Sequence, residues 1–330
     1  MKAIPSLFSI LVLMLLLSSA SCGSATSQAQ SADSTSEPSR TAAPFDADTA
    51  LRYIREQVAF GVRTPGSEGH KACASWIESK LRDWGYTVTL QHFTGKDYFG
   101  KEVQGTNIIA TLQPEHEERA FEEGVIADRR LFVHAHEFFP ALRRRQQEPI
   151  LGADDGASGV AVLLELARQE ALKPSGKALD FVFFDLEDGG GSQSEDSWCL
   201  GSQYWAKHPH RPGYSAQWGI LLDMVGAHGA RFYWEGLSKE YARPLLATLW
   251  QTAAQLVWGN YFVQANGSQM TDDHVAVVRE LGIPSVDIIN FDPTRPTGFG
   301  AHWHTTADDM NIISRETLRA VGETVATTVR

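Results

Sequence analysis

From about residue 45 onward, the chain alternates between segments with helical periodicity and short apolar segments typical of β-strands. The predicted helices cover residues 46–60, 68–84, 156–169, 239–257, 274–281 and 316–329. The predicted strands cover residues 86–93, 107–112, 131–134, 179–185, 218–224, 231–234 and 285–290. This alternation indicates an α/β fold with a largely parallel sheet covered by helices on both faces. Because there is no internal repeat and no second linker, we expect one domain over residues 46–330.

Composition and charge restrict the classes of function that this chain can have. Of the 330 residues, 43% are hydrophobic, so the chain can bury a large core. The formal net charge is −11, and the one basic cluster is Arg143-Arg144-Arg145. Nucleic-acid-binding proteins usually present a basic surface, so we expect no nucleic-acid partner.

The N-terminus has the pattern of an export signal. Lys2 precedes an apolar run at residues 10–17, which is too short to span a bilayer, and small residues follow at 18–21. Residues 1–21 are therefore predicted to be a signal peptide. Cys22 resembles the acylated cysteine of bacterial lipoproteins, although Ser19 stands where a leucine is usual. We expect a periplasmic protein held to a bacterial membrane through a lipid on Cys22.

Residues 22–45 are predicted to be a flexible linker after the lipidated cysteine, because they are rich in Ser, Ala, Thr and Gln. The remaining cysteines are Cys73 and Cys199. An exported chain could pair them, but two cysteines this far apart make no disulfide framework, and their pairing stays open at this point.

An apolar strand that runs directly into acidic residues marks the first candidate site. Residues 181–184 are Phe-Val-Phe-Phe, and Glu187 and Asp188 follow shortly before three glycines. Carboxylates next to a buried strand need a partner such as a cation. Neighbouring side chains there point in opposite directions, so one of the two acids could bind a metal and the other face a substrate. The alternative is a solvated acidic turn.

Other acidic and histidine residues lie at similar positions. Asp154 and Asp155 precede a predicted helix, and Asp223 ends an apolar run. Asp272, Asp273 and His274 begin another helix, and His302 and His304 lie in a loop. Taken singly, each fits an ordinary turn or a surface histidine. Together, two acids, one histidine and an adjacent glutamate match a catalytic zinc site with three protein ligands and an open position.

Several segments in order resemble the zinc-dependent aminopeptidase superfamily and, within it, the glutaminyl cyclases of bacterial and animal type. These segments are RTPGSEGHKACASWI, GADDGASGVAVLLELA, FVFFDLEDGG, WCLGSQYWAKH, WGILLDMVGA, TDDHVAVVRELGIPSV and HWHTTADD. The resemblance implies a single α/β domain with a central mixed sheet. It also implies that an N-terminal glutamine is converted to pyroglutamate with release of ammonia.

The same resemblance implies a role for each matching residue. It implies that this chain binds one zinc ion and that the zinc ligands are Asp155, Asp188 and His304. The animal enzymes have a glutamate at the position of Asp188. Glu187 would be the general acid and base. The resemblance further implies that Asp223 and Asp272 join the catalytic hydrogen-bond network, that Trp303 lines the substrate pocket, and that Asp287, where the animal enzymes have a histidine, contacts substrate.

Two rival functions remain open on the sequence alone. A two-zinc aminopeptidase of the same fold would use a His-x-Asp strand end for the second metal, and here His134 is followed by His136 instead of that aspartate. A binding module that has lost its metal is the other rival, which the complete acid and histidine set argues against. We expect the partners to be peptides or exported proteins with N-terminal glutamine, and the chain to be a monomer.

Overall fold

The computed structural model of the chain describes residues 41–112, 131–136, 150–191 and 195–330. The predicted signal peptide, Cys22 and most of the predicted linker lie outside the described residues, so these assignments stay predictions. Within the described ranges, no helix combines the length and apolar character needed to cross a bilayer. Cys73 and Cys199 are both buried and are not joined by a disulfide.

Helices and strands alternate along most of the chain. The helices of the described part are α1 (Ala47–Ala59), α2 (Glu68–Asp83), α3 (Ala157–Leu172), α4 (Leu200–Lys207), α5 (Gly236–Tyr241), α6 (Arg243–Gln255), α7 (Asp273–Leu281) and α8 (Arg315–Val329). The strands there are β1 (Thr87–Lys96), β2 (Glu102–Leu112), β3 (Leu131–His136), β4 (Leu179–Phe184), β5 (Trp218–Asp223), β6 (Phe232–Trp234), β7 (Phe262–Asn266) and β8 (Ser285–Ile289).

Six of these strands form the central sheet, in the order β1-β2-β4-β3-β5-β8. The pairs β4–β3, β3–β5 and β5–β8 are parallel, whereas β1–β2 and β2–β4 are antiparallel. The sheet is therefore mixed, as the family resemblance implied. Because β4, β3, β5 and β8 run in one direction, their carboxyl ends lie at a common edge.

The central strands are buried on both faces. All six residues of β4 are buried, and its apolar residues alternate between two apolar clusters. Phe181 and Phe183 belong to the larger cluster, with residues of α1, α2, α3 and α8. Val182 and Phe184 belong to the other, with Trp205 of α4. Helices thus cover the sheet on both faces, and the α/β fold predicted from the sequence is confirmed.

The structure corrects the predicted elements in three places. The segment predicted as one helix over 239–257 forms α5 and α6, because Pro244 near the start of α6 has no amide proton for a continuous helix. Strands β1 and β2 extend to Lys96 and Glu102 and form one long hairpin. Helix α4 and strand β7 were not predicted, since the periodicity of these short segments is weak.

Candidate active site

The carboxyl ends of β4 and β5 bring two groups of acidic residues to one edge of the sheet. Asp223 is the last residue of β5, and Glu187 and Asp188 follow shortly after β4. Asp155 lies just before α3, and Asp272 is the N-cap of α7, where its side chain accepts from the amide of Asp273. Asp155 and Asp272, which are 117 positions apart in sequence, thus line one cavity together with the acids that follow β4 and β5.

Asp155, Asp188 and His304 form a buried cluster. One ligand atom of each lies within 4.8 Å of those of the other two. Nε2 of His304 is 3.3 Å from Oδ2 of Asp155 and 3.2 Å from Oδ2 of Asp188. In a tetrahedral zinc site with bonds of about 2.0–2.2 Å, ligand atoms stand about 3.3–3.6 Å apart. The donor set and its spacing therefore fit a zinc ion.

The two carboxylates also control the protonation of His304. Burial alone would lower the pKa of His304, but the hydrogen bonds and charges of Asp155 and Asp188 outweigh burial and raise it to about 10. A cation is thus favoured at this position, whether it is a proton on His304 or a metal ion between the three side chains. A metal would have to displace that proton.

Cys199 holds Glu187 through both its backbone amide and its side chain. The amide of Cys199 donates to the backbone oxygen of Glu187 at 2.8 Å, and its Sγ lies 3.8 Å from Oε1 of the glutamate. Burial, and then the charges of Asp273 and Glu187, raise the pKa of the Cys199 thiol well above its usual value. The thiol therefore stays protonated and can donate to the carboxylate.

A cavity of about 210 Å³ opens beside the cluster. Its wall contains the three clustered residues together with Glu187, Asp223 and Asp272. Its apolar lining residues are Trp198, Met224, Met270, Ile289, Phe299 and Trp303. Carboxyl groups at the wall of a partly apolar cavity are an arrangement suited to general acid–base catalysis, because a carboxylate within reach of a substrate can accept and return a proton.

Trp303 belongs to a stack of rings that begins at His304. The ring centroids of Trp303 and His304 are 4.0 Å apart, and those of Trp303 and Phe299 are 4.2 Å apart. The indole therefore both lines the cavity and fixes the plane of the neighbouring imidazole. Sequence reasoning placed Trp303 at the pocket but gave no sign of Phe299.

Asp287 occupies a different place from the other predicted site residues. It lies in β8, is completely buried, and does not line the cavity. Its Oδ2 is 4.0 Å from Nδ1 of His274, whose Nε2 is 3.3 Å from Oε2 of Glu235. Contact between Asp287 and a substrate stays a prediction.

Sequence reasoning missed a network that supports the cluster. Asp308 accepts from the amides of Asp154 and Asp155, at 2.7 and 3.2 Å. Asp154 in turn contacts Nε2 of His302 at 3.0 Å and accepts from the amide of Gly226 at 2.7 Å. Burial and the charges of Asp155 and Asp154 raise the pKa of Asp308 to about 7. The HWHTTADD motif contains both His302 and Asp308, but nothing in it indicates their partners.

Backbone strain is concentrated at this edge of the sheet. Among the described residues, five non-glycine residues have positive φ, and Leu186, Cys199, Met224 and His304 are four of them. Each one belongs to the site or is next to a site residue. A left-handed conformation is costly outside glycine, and such residues persist where the surrounding structure requires them.

The candidate second metal position falls at the end of β3. The backbone of His136 pairs with that of Phe184, and the backbone of His134 pairs with that of Val182. This register brings both residues toward the same edge as the cluster. Their side chains lie outside what the structure describes, so a second metal near them stays a prediction.

Comparison with known proteins places this arrangement in a family. Residues 107–329 match the profile of peptidase family M28. The chain is 47% identical to the glutaminyl cyclase of Porphyromonas gingivalis, whose crystal structure superposes with a TM-score of 0.80 over 86% of this chain and 98% of that one.

Two further relatives extend the comparison. The chain is 28% identical over 281 residues to a glutaminyl-peptide cyclotransferase of Drosophila melanogaster, which covers 77% of this chain and 73% of the relative. It is 38% identical to a leucine aminopeptidase precursor from Bacteroides thetaiotaomicron, with a TM-score of 0.79 and coverage of 88% of this chain and 98% of that one.

Proposed function

The chain belongs to peptidase family M28, and we propose that within this family it is a glutaminyl-peptide cyclotransferase. It would convert the N-terminal glutamine of a peptide or protein to pyroglutamate and release ammonia. The observation that carries the proposal is that one cavity joins the Asp155–Asp188–His304 cluster to Glu187 and to Asp223 and Asp272. The 47% identity to a bacterial glutaminyl cyclase supports it.

The reaction needs an activated carbonyl and a free amine. Asp155, Asp188 and His304 would hold one zinc ion per chain, which supplies Lewis-acid polarisation of the glutamine side-chain carbonyl. The α-nitrogen attacks the side-chain carbonyl carbon, the new ring bond forms, and the bond to the side-chain nitrogen breaks. The enzyme must therefore move a proton from the attacking nitrogen to the departing one.

Glu187 is placed to move that proton. It borders the cavity, and the amide and thiol of Cys199 fix its position. We assign Glu187 to accept the proton of the α-amine and to return it to the leaving ammonia. Asp223 and Asp272 line the same cavity and would orient the two nitrogens. Trp198 and Trp303 would exclude water, which could otherwise hydrolyse the amide to glutamate.

A product assay tests the function directly. Gln-Ala is expected to lose one ammonia and keep both residues, Leu-Ala is expected to stay intact, and a metal chelator is expected to stop the reaction. Mass spectrometry and an ammonia assay measure both products. Release of free leucine at a comparable rate would favour an aminopeptidase instead. That candidate deserves the control, because one relative is a leucine aminopeptidase precursor.

Zinc content separates the same two candidates in a second way. We propose a stoichiometry of one zinc per chain, and elemental analysis of the purified protein measures it. Two zinc ions per chain, with loss of one on substitution of His134, would indicate a two-metal aminopeptidase site.

The N-terminal assignments are also proposals. We propose that the protein is exported to the periplasm and that a lipid on Cys22 anchors it to the membrane. We also propose that the catalytic domain is a monomer and that its substrates are peptides or exported proteins. Cys22→Ala is expected to shift the protein from the membrane fraction to the soluble fraction with activity retained. Unchanged fractionation would contradict the lipid anchor, and size-exclusion chromatography of the soluble variant tests the monomer.

A further inference from the structure

The turn between β1 and β2 presents two exposed aromatic side chains. Tyr98 and Phe99 are 41% and 56% exposed, and their rings pack edge to face with centroids 5.3 Å apart. Exposed large hydrophobic residues are otherwise scattered in the described part of the chain, at Leu172, Tyr241 and Val257. Two adjacent exposed aromatic rings are a feature of binding surfaces, since burying them on a ligand is favourable.

Hydrogen bonds fix the conformation of this turn, although the rings of Tyr98 and Phe99 are not part of the apolar core. The carboxylate of Asp97 accepts from the amides of Phe99 and Lys101, each at 2.9 Å. Backbone hydrogen bonds join Asp97 to Lys101 and to Gly100. Gly100 has a φ of +74°, a left-handed conformation that glycine adopts at little cost. The turn therefore presents Tyr98 and Phe99 in a fixed position.

The same turn is attached to the segment that follows the zinc-ligand position Asp188. The amide of Tyr98 donates to the backbone oxygen of Gly189 at 3.0 Å. A Cβ on Gly191 would lie 2.1 Å from the ring of Tyr98, and a Cβ on Gly190 would lie 2.1 Å from the ring of Trp198. Because these glycines lack side chains, both rings pack directly on this backbone. Trp198 also lines the cavity, so the surface runs from the cavity to the exposed rings.

We propose that Tyr98 and Phe99 bind apolar or aromatic side chains that follow the N-terminal glutamine of a peptide substrate. The inference rests on the proposed cyclase function. The cavity holds the first residue, so the remainder of the substrate must lie outside it. An extended peptide advances about 3.3–3.6 Å per residue. The backbone of Tyr98 is hydrogen-bonded to Gly189, the residue after Asp188. The second to fourth residues of a substrate bound in the cavity are therefore within reach of the Tyr98 and Phe99 rings.

Peptides of matched length test this subsite. The substrates are Gln-Ala-Ala-Ala-amide and three versions with a single Phe at the second, third or fourth position. In at least one position, Phe is expected to raise kcat/KM of the full protein about tenfold, mainly through a lower KM. The double variant Tyr98→Ser, Phe99→Ser is expected to reduce this preference to less than about twofold. Tyr241→Ser, at a 45% exposed tyrosine on α5, is expected to retain it.

The outcomes distinguish failure of the proposed subsite from failure of the proposed cyclase function. Equal kcat/KM for all four peptides, or a preference that persists in the double variant, would overturn the subsite. Loss of the preference in Tyr241→Ser would do the same. If the double variant fails to fold, Phe99→Ser alone replaces it, because Phe99 is the more exposed of the two, with an expected loss of about threefold. Failure of the natural protein to cyclise any of the four peptides would contradict the proposed function instead.

Discussion

Nε2 of His302 lies 3.0 Å from Oδ2 of Asp154, and this contact joins the loop that carries His304 to the loop that carries Asp155. The other oxygen of Asp154 accepts from the amide of Gly226, in the loop that follows β5. One fully buried carboxylate therefore fixes three loops that carry residues of the site. Residues that orient metal ligands affect the metal affinity of a site, although they do not bind the metal themselves.

Asp154→Asn is expected to weaken zinc binding about tenfold. The asparagine oxygen can still accept from Gly226, but its NH₂ then faces Nε2 of His302, which must change from donor to acceptor. Competition with a chelating dye measures the zinc affinity. Asp48→Asn is the matched control, because Asp48 is a surface residue paired with Arg315. Zinc affinity that is equal in the two variants would contradict the role of Asp154.

The Asp154–His302 contact also shows where sequence reasoning stops. The two residues are 148 positions apart, and no local pattern links them. By contrast, Glu187, Asp188 and Asp223 could be placed at one edge of the sheet, because each follows an apolar run and parallel strands end together. The family resemblance selected His304 over His302 and Asp272 over Asp273, which the local sequence does not distinguish. Phe299 and Cys199 could not be assigned, since their roles depend on contacts formed only in the folded chain.

Similar limits apply to the fold. The long apolar runs at β4 and β5 predicted buried strands, and both strands are present. The residues Thr94–Lys96 and Glu102–Gln104 contain few apolar side chains, and pairing with each other makes them strands. Their extension carries the chain to the turn at Tyr98 and Phe99. The part of the hairpin that the sequence did not predict is therefore the part that contains the proposed subsite.

Glu187→Gln and Asp188→Asn are expected to separate catalysis from metal binding. Glutamine at position 187 keeps the size of the side chain but cannot accept a proton, so turnover is expected to fall at least 100-fold while zinc stays bound. Asparagine at position 188 removes a charge from the Asp155–Asp188–His304 cluster, so zinc itself is expected to be lost. Elemental analysis and the ammonia assay measure the two effects. Zinc loss in the Glu187 variant would mean that the two roles are reversed.

Val257→Gly is expected to stabilise the protein by about 0.5–1 kcal/mol. Val257 follows the end of α6, is 81% exposed, and has a φ of 66°. A β-branched residue is costly in this left-handed conformation, whereas glycine adopts it freely, and the gain exceeds the added entropy of the unfolded chain. The hydrogen bond from the amide of Trp258 to the oxygen of Ala253 would be kept. Urea unfolding measures the change, and a loss of stability would contradict the strain.

Glu235→Gln is expected to destabilise the protein at pH 7 more than at pH 3. Burial would raise the pKa of Glu235, but the hydrogen bond and charge of His274 outweigh burial and lower it from 4.5 to about 2. A lowered carboxyl pKa stabilises the folded state above the unfolded pKa near 4.5, and this contribution is lost as the pH falls toward 2. This lowering of the pKa corresponds to about 3 kcal/mol of stability at pH 7. Urea unfolding of both proteins at each pH, with chelator present, measures the difference. A difference that is independent of pH would contradict the lowered pKa of Glu235.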